Sequence, residues 1–209
     1  EMDDRIPTTS EIHSARASMA GFLYQLRRGL LRLAESSAVG RIGIETLDDV
    51  VLERADGSSV IEQNKLSFRR NPIPDSSANL WNTLATWIGL LNDNEVELDS
   101  VEFCLVSTFD VGSGIAPKLK LPSATRNNRA IAGEILMLAN DPKDSFAKYA
   151  KVVCRFPKKD FEKLVSRITV IDSSCQDAKE ELVHRLHLTP DVCDEVLNGL
   201  TGWLFDEII

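Results

Sequence analysis

The stretch Ile44-Glu45-Thr46-Leu47-Asp48-Asp49-Val50-Val51-Leu52, followed after a turn by Ile61-Glu62-Gln63-Asn64-Lys65, decides both the fold and the chemistry that we predict. It places an acidic pair at the head of one apolar run and a Gln-x-Lys pattern on the next. Side chains alternate along a strand, so Gln63 and Lys65 share one face. A neighbouring strand can bring Asp49 beside them.

The residues on either side predict a helix followed by three strands. Apolar residues recur at helical spacing as far as about Ser36, which predicts the first helix. We expect strands over 41–46, 49–54 and 59–66. The turn over 55–58 contains Asp-Gly, which supplies the positive φ angles of a hairpin.

The rest of the chain predicts one more buried strand and then mostly helices. Asp75, Ser76 and Ser77 can cap a second helix, and the apolar run 101–108 reads as a strand buried between layers. The later predictions are helices over 129–139 and 160–166, weaker strands over 152–156 and 168–171, and two final helices, the last beginning at Thr189-Pro190. The predicted class is therefore α/β, with a central mixed sheet flanked by helices.

The central stretch holds the parts that metal-assisted hydrolysis of a phosphodiester needs. A carboxylate can hold Mg²⁺, which prefers oxygen ligands and keeps several waters. The metal polarises the phosphate and lowers the pKa of water. A nearby lysine stabilises the charge that develops.

Four motifs in order resemble a known nuclease family: Gly21-Phe22-x-Tyr24-Gln25, Glu45-x-x-Asp48-Asp49, Gln63-x-Lys65 and Leu80-Trp81-x-Thr83-Leu84-x-x-Trp87. Their arrangement is similar to the PD-(D/E)xK (restriction-endonuclease-like) core. They look like the N-terminal double-stranded DNA endonuclease domain of bacterial anti-phage effectors, found in CD-NTase-associated effectors and Lamassu-type systems. The resemblance covers about residues 19–108.

The resemblance implies a role for each matching residue. Asp49 would be the main metal carboxylate, and Gln63 would stand in place of the (D/E) of the motif. Lys65 would be the catalytic lysine, Glu45 a second acid and metal ligand, and Gln25 a positioning residue. The implied cofactor is Mg²⁺, with Mn²⁺ as a substitute.

The resemblance also implies a function and partners. The chain would cut double-stranded DNA in anti-phage defence, as a homo-oligomer or with partner defence subunits. At position 66 the family pattern has a polar or basic residue, whereas this chain has Leu66. The departure affects the expected local contact with DNA more than the chemistry. The rival hypothesis is a non-catalytic, nuclease-like module that docks a partner protein; the negative net charge and the neutral Gln63 motivate it.

Each site residue also has an ordinary structural interpretation. Asp48-Asp49 could be a turn between strands. Gln63 and Lys65 could lie on the exposed face of an edge strand. Gln25 could be a solvated helix residue.

Charge is unevenly distributed along the chain. The net charge is −8, and residues 171–209 hold nine acidic residues against two basic ones. We expect residues 1–170 to form the nuclease core and 171–209 an acidic helical extension leading to a further C-terminal region. Two stretches are basic: 111–133, with four basic residues and no acid, and 143–159, with six against one. Each could contact phosphates or form a solvated face; the candidate DNA-binding residues are Arg69, Arg70, Lys118 and Lys120.

Several other classes of function are disfavoured. No GxxxxGK[ST] motif is present, so we expect no P-loop nucleotide site. The four cysteines form no CxxC pattern, and Cys104 and Cys154 look like core residues. His184 and His187 have helical metal-ligand spacing but no evident third ligand. No apolar run could span a membrane and no leader pattern is seen, so we predict a cytoplasmic protein without a membrane partner.

Overall fold

The computed structural model describes residues 9–35, 39–67, 69–172 and 178–208. In chain order its main elements are α1 (Thr9–Glu35), β1 (Val39–Ile44), β2 (Val50–Arg54), β3 (Ser59–Lys65), α2 (Ala78–Asn92), β4 (Val101–Ser107), α3 (Ile115–Leu119), α4 (Asn128–Asn140), α5 (Ala147–Arg155), α6 (Lys158–Arg167), β5 (Ile168–Ile171), α7 (Ala178–Arg185) and α8 (Cys193–Ile208).

One mixed sheet with the order β1-β2-β3-β4-β5 organises the chain. β1, β2 and β3 form an antiparallel meander, whereas β4 runs parallel to β3 and β5 parallel to β4. The parallel pair β3 and β4 needs a crossover, which α2 supplies. The predicted α/β class, with helices flanking a mixed sheet, is confirmed.

Different helices cover the two faces of the sheet. On one face, Val51, Ile61 and Phe103 belong to the largest core, which α2 to α6 complete. On the other face, Ile44 and Val50 pack with α1, α7 and α8. Alternation along each strand therefore separates residues that α1 covers from residues that α2 to α6 cover.

A buried ion-pair network joins α1 to β3. Arg28 donates to both carboxylate oxygens of Glu62, at 2.6 and 2.8 Å, and Arg32 donates to Glu62 Oε2 at 2.8 Å. Glu62 is fully buried. Burial opposes its ionisation, but the two guanidinium groups hold its pKa below the ordinary value. β3 is therefore tied to α1 by charge as well as by apolar contact.

The acidic C-terminal part packs against the same helix. Leu182 of α7 and Leu197 and Leu204 of α8 are buried in a cluster with Leu26 and Leu30 of α1. Residues 178–185 and 193–208 are thus helical and pack against α1. No helix in the described ranges is long and apolar enough to cross a membrane.

Several sequence predictions were wrong in detail. Residues 152–155 lie in α5 and not in a strand, because Ala150 and Val153 form one buried helical face. Cys154 is exposed, so it is not a core residue, whereas Cys104 is buried as predicted.

Two helix boundaries near the C-terminus also differ. α8 begins at Cys193 and not at Thr189-Pro190. His187 lies beyond the end of α7 with a positive φ of 52°, so it does not share a helix with His184.

We predict that Glu62→Ala lowers the free energy of unfolding by about 3–5 kcal/mol, because it leaves two buried guanidinium groups without their counter-charge. Urea unfolding followed by circular dichroism measures this loss. Glu102→Ala is the matched control, since Glu102 pairs with Arg54 at the surface at 3.4 Å and its loss should cost less than about 1 kcal/mol. Equal losses in the two variants would contradict the network's role.

Candidate active site

The predicted site residues meet at one end of the sheet, where β1 and β3 end and β2 begins. The segment between β1 and β2 turns tightly there: the Glu45 backbone N–H donates to the Asp49 carbonyl at 3.1 Å, and Glu45 has a φ of 54°. This turn sets Asp49 directly before β2. Because β2 pairs with β3 in antiparallel register, Asp49 faces the end of β3.

Asp49 is the centre of the cluster. Its Oδ2 accepts hydrogen bonds from Gln63 Nε2 at 2.6 Å and from the Asn64 backbone N–H at 2.5 Å. Burial raises the pKa of Asp49, and Glu45 adds a smaller repulsion, whereas both hydrogen bonds and Lys65 oppose the shift. The carboxylate is therefore held in place, but its hydrogen bonds and Lys65 do not fully offset the cost of burying its negative charge.

Lys65 is within Coulombic range of this carboxylate but forms no ion pair with it in the described part of the chain. Burial lowers the pKa of its ammonium, while the nearby charges of Asp49 and Asp48 oppose that effect. Tyr149 of α5 is also within Coulombic range of Lys65. The lysine is thus a partly desolvated cation whose main counter-charges belong to the same cluster.

β3 is an interior strand, so the edge-strand interpretation of Gln63 and Lys65 is wrong. β3 pairs with β2 on one side and with β4 on the other, and Lys65 is in register with Ser107. Gln63 is only 8% exposed. The Gln-x-Lys pattern therefore points into the molecule and not along a solvated edge.

Gln25 joins the cluster from α1, so its interpretation as a solvated residue is also wrong. It is 8% exposed, and its Nε2 donates to Glu45 Oε1 at 2.7 Å. Its amide oxygen is buried and has no hydrogen-bond partner. The same is true of the nitrogen and the oxygen of the Asn64 side-chain amide. Buried polar atoms without partners are rare, and they make this end of the sheet polar and unsatisfied.

The sequence analysis missed a second role in the acidic pair. Trp87 Nε1 of α2 donates to Asp48 Oδ2 at 2.8 Å, and the Asp49 backbone N–H donates to Asp48 Oδ1 at 3.0 Å. The Trp87 ring stacks on Phe103 with centroids 4.9 Å apart. Asp48 therefore anchors the Asp49 turn to the core. Its only signal in the sequence was the Trp87 of the family-like motif.

The donor chemistry of the cluster fits Mg²⁺. The two carboxylates of Glu45 and Asp49 and the amide of Gln63 are oxygen-bearing groups, and Mg²⁺ is bound through one or two carboxylates with waters and substrate phosphates. Within the described ranges, no group of three or more His, Cys, Asp or Glu side chains could hold a metal. The groups that could contact a cation here are therefore the two carboxylates and one amide.

The four candidate DNA-binding residues fall into two groups. Arg69 and Arg70 are exposed just beyond the end of β3. Lys118 is instead paired with Glu134 at 2.5 Å, and Lys120 with the buried Asp172 at 2.8 Å. Both lysines already have carboxylate partners within the fold.

Comparison with known proteins gives a likeness of fold. A Cap4 SAVED/CARF-domain containing receptor from Moraxella osloensis has a similar structure, with a TM-score of 0.53 and 15% sequence identity over 90% of this chain. The chain spans 43% of that receptor, less than half of its length. No family model matches the sequence, and no curated protein matches it.

We predict a pH-dependent effect of Asp48→Asn on stability. Burial raises the pKa of Asp48 to about 6, above its ordinary 3.8. Between these values the folded state keeps a proton that the unfolded state releases, so this group's stabilising contribution is complete below about pH 4 and is lost as pH rises through about 6. The wild type should therefore lose roughly 1–3 kcal/mol relative to Asp48→Asn across this window. Parallel stability curves from urea unfolding would contradict the assignment.

Proposed function

We propose that the chain is a Mg²⁺-dependent endonuclease that cuts double-stranded DNA in bacterial anti-phage defence. The observation that carries the proposal is the cluster of Asp49, Gln63 and Lys65 at the end of β3, with Gln25 and Glu45 beside it. These are the residues that the resemblance to PD-(D/E)xK nucleases singles out. They come from α1, the β1–β2 turn and β3, and the fold brings all of them to one end of the sheet.

In the proposed reaction, Asp49, Glu45 and the Gln63 amide would hold Mg²⁺. The ion would polarise the phosphodiester and make water a better nucleophile near neutral pH. Asp49 is fixed for this role by its bonds to Gln63 and to the Asn64 backbone. Gln25 is a positioning residue that orients Glu45 through their 2.7 Å bond.

Lys65 would stabilise the negative charge that builds up on the phosphate. It lies on the same strand face as Gln63, and its ammonium is within Coulombic range of the Asp49 carboxylate. Partial burial strengthens the field of this cation, because fewer waters screen it. A neutral side chain at this position would leave the phosphate charge uncompensated.

The defence role is supported by two likenesses. The motifs resemble the nuclease domain of anti-phage effectors, and the fold resembles a Cap4 receptor. The chain spans less than half of that receptor. We therefore propose signal sensing, and assembly into oligomers or with partner subunits, for the whole protein and not for these 209 residues alone.

One observation favours the rival function, a nuclease-like module that binds a partner protein. The Gln63 amide nitrogen, not its oxygen, faces Asp49. In this arrangement the carboxylate is satisfied by hydrogen bonds from the protein itself. A cluster that stays closed in this way would be structural.

We predict that Asp49→Ala and Lys65→Ala each reduce Mg²⁺-dependent plasmid cleavage by about a thousandfold or more, because each removes a charge that acts on the transition state. Agarose gels of supercoiled plasmid measure nicking and linearisation, and circular dichroism confirms folding. Asp99→Ala and Lys163→Ala are matched controls, since these residues pair at the surface. Metal-dependent cutting that survives in the Asp49 and Lys65 variants would overturn the site.

A further inference from the structure

The exposed face of α5 carries a row of basic residues. Lys148, Lys151 and Arg155 are spaced by three and four residues, so they share one side of the helix. Ala150 and Val153 are fully buried on the opposite side. We call Lys148, Lys151 and Arg155 the α5 basic stripe. Its three cations point away from the core across about 10 Å of helix.

Three of the four cations in the other basic stretch of the sequence interact with carboxylates or carbonyls within the fold, whereas those of the stripe form no ion pair in the described residues. In 111–133, Lys118 and Lys120 are paired with carboxylates, and Arg126 is buried against backbone carbonyls such as those of Val165 and Ile168. In the part of the chain that the structure describes, no residue of the α5 basic stripe forms an ion pair. These three like charges are therefore uncompensated, although the chain as a whole is acidic.

The stripe begins at the end of α5 that packs against α2, where the Phe146 ring stacks on Trp81 with centroids 4.6 Å apart. The Lys148 ammonium lies 4.5 Å from the centre of the Tyr149 ring, and Tyr149 is within Coulombic range of Lys65. Three residues after Arg155, Lys158 and Lys159 begin α6 and are exposed. With Arg129 these two lysines line an open groove of about 630 Å³.

We propose that the α5 basic stripe binds the backbone phosphates of duplex DNA and leads the strand to the Asp49 and Lys65 cluster. This inference rests on the proposed nuclease function and names the surface that holds its substrate. Successive phosphates of one strand rise about 3.4 Å along the duplex axis and also wind around it, so about 10 Å of stripe can meet roughly two of them. A polyanion relieves the repulsion between the three cations, and the Tyr149 ring, which Lys148 covers and which is within Coulombic range of Lys65, favours DNA over an acidic protein.

The test measures binding separately from cleavage. Fluorescence anisotropy of a labelled 20-base-pair duplex is followed in EDTA, over a series of salt concentrations, with the full chain. The test variant is Lys148→Gln/Lys151→Gln/Arg155→Gln. The matched control is Arg41→Gln/Arg54→Gln/Lys163→Gln, which removes the same charge from three surface ion pairs with Glu53, Glu102 and Asp99.

The proposal predicts that the stripe variant binds at least about tenfold more weakly at 0.1 M salt. The slope of log affinity against log salt concentration should become shallower by about 2, since roughly two phosphate contacts are lost. The control should keep the wild-type slope. Equal effects in the two variants, an unchanged stripe variant, or a wild type that binds poly-glutamate but not duplex DNA would each overturn the proposal.

Plasmid cleavage in Mg²⁺ separates this inference from the proposed function. If the wild type binds DNA through the stripe but cuts nothing, the nuclease proposal fails and the stripe assignment stands. If the wild type cuts and the stripe variant binds and cuts equally well, the nuclease proposal stands and the stripe assignment fails.

Discussion

The ion pairs of Glu62 with Arg28 and Arg32 are the constraint on which the rest of the site depends. They hold α1 against β3, and the period of two along β3 then turns Gln63 and Lys65 to the opposite face of the sheet. Gln25 precedes Arg28 by one helical turn, so the same anchoring brings Gln25 to Glu45. A shift of β3 by one residue would bury Gln63 under α1 and turn Glu62 away from its arginines. The buried ion pairs therefore fix the register of β3, and this register places Gln63 and Lys65 in the site.

The electrostatics of the cluster follow from where it is built. Asp48, Asp49 and Lys65 are partly buried at the end of the sheet, and burial moves the pKa values of both acids up and that of the lysine down. Each charged form is thus less favourable than in water unless a partner is present. A cation bound near the carboxylates and a phosphate bound near Lys65 would each stabilise the charged form that burial disfavours. Perturbed carboxylates and a perturbed lysine in one cluster are typical of functional sites.

The sequence predicted the strands of the site well because their signals are local. Alternation over 59–65, the Asp-Gly turn and the apolar run of β4 required no knowledge of distant residues. Other features depend on partners far along the chain. The bond of Trp87 to Asp48 spans 39 positions, and the pairing of Lys120 with Asp172 spans 52. For the same reason, composition could not tell that Lys118, Lys120 and Arg126 are taken up within the fold and that the cations of α5 are not. The strand predicted over 152–156 failed because tertiary burial of Ala150 and Val153 outweighed a short apolar run.

The most direct test of the account is whether the Asp49 cluster binds a divalent cation, measured by calorimetric titration of Mn²⁺ into the wild type, Gln63→Glu and Asp49→Asn. Gln63→Glu replaces a neutral ligand with a carboxylate, so a metal site predicts binding tighter than wild type by about tenfold or more, and loss of binding in Asp49→Asn. A closed hydrogen-bond cluster predicts the opposite, since a second carboxylate beside Asp49 would repel it and lower stability. If neither the wild type nor Gln63→Glu binds Mn²⁺ while both stay folded, the cluster is structural and the account of a metal-dependent nuclease is wrong.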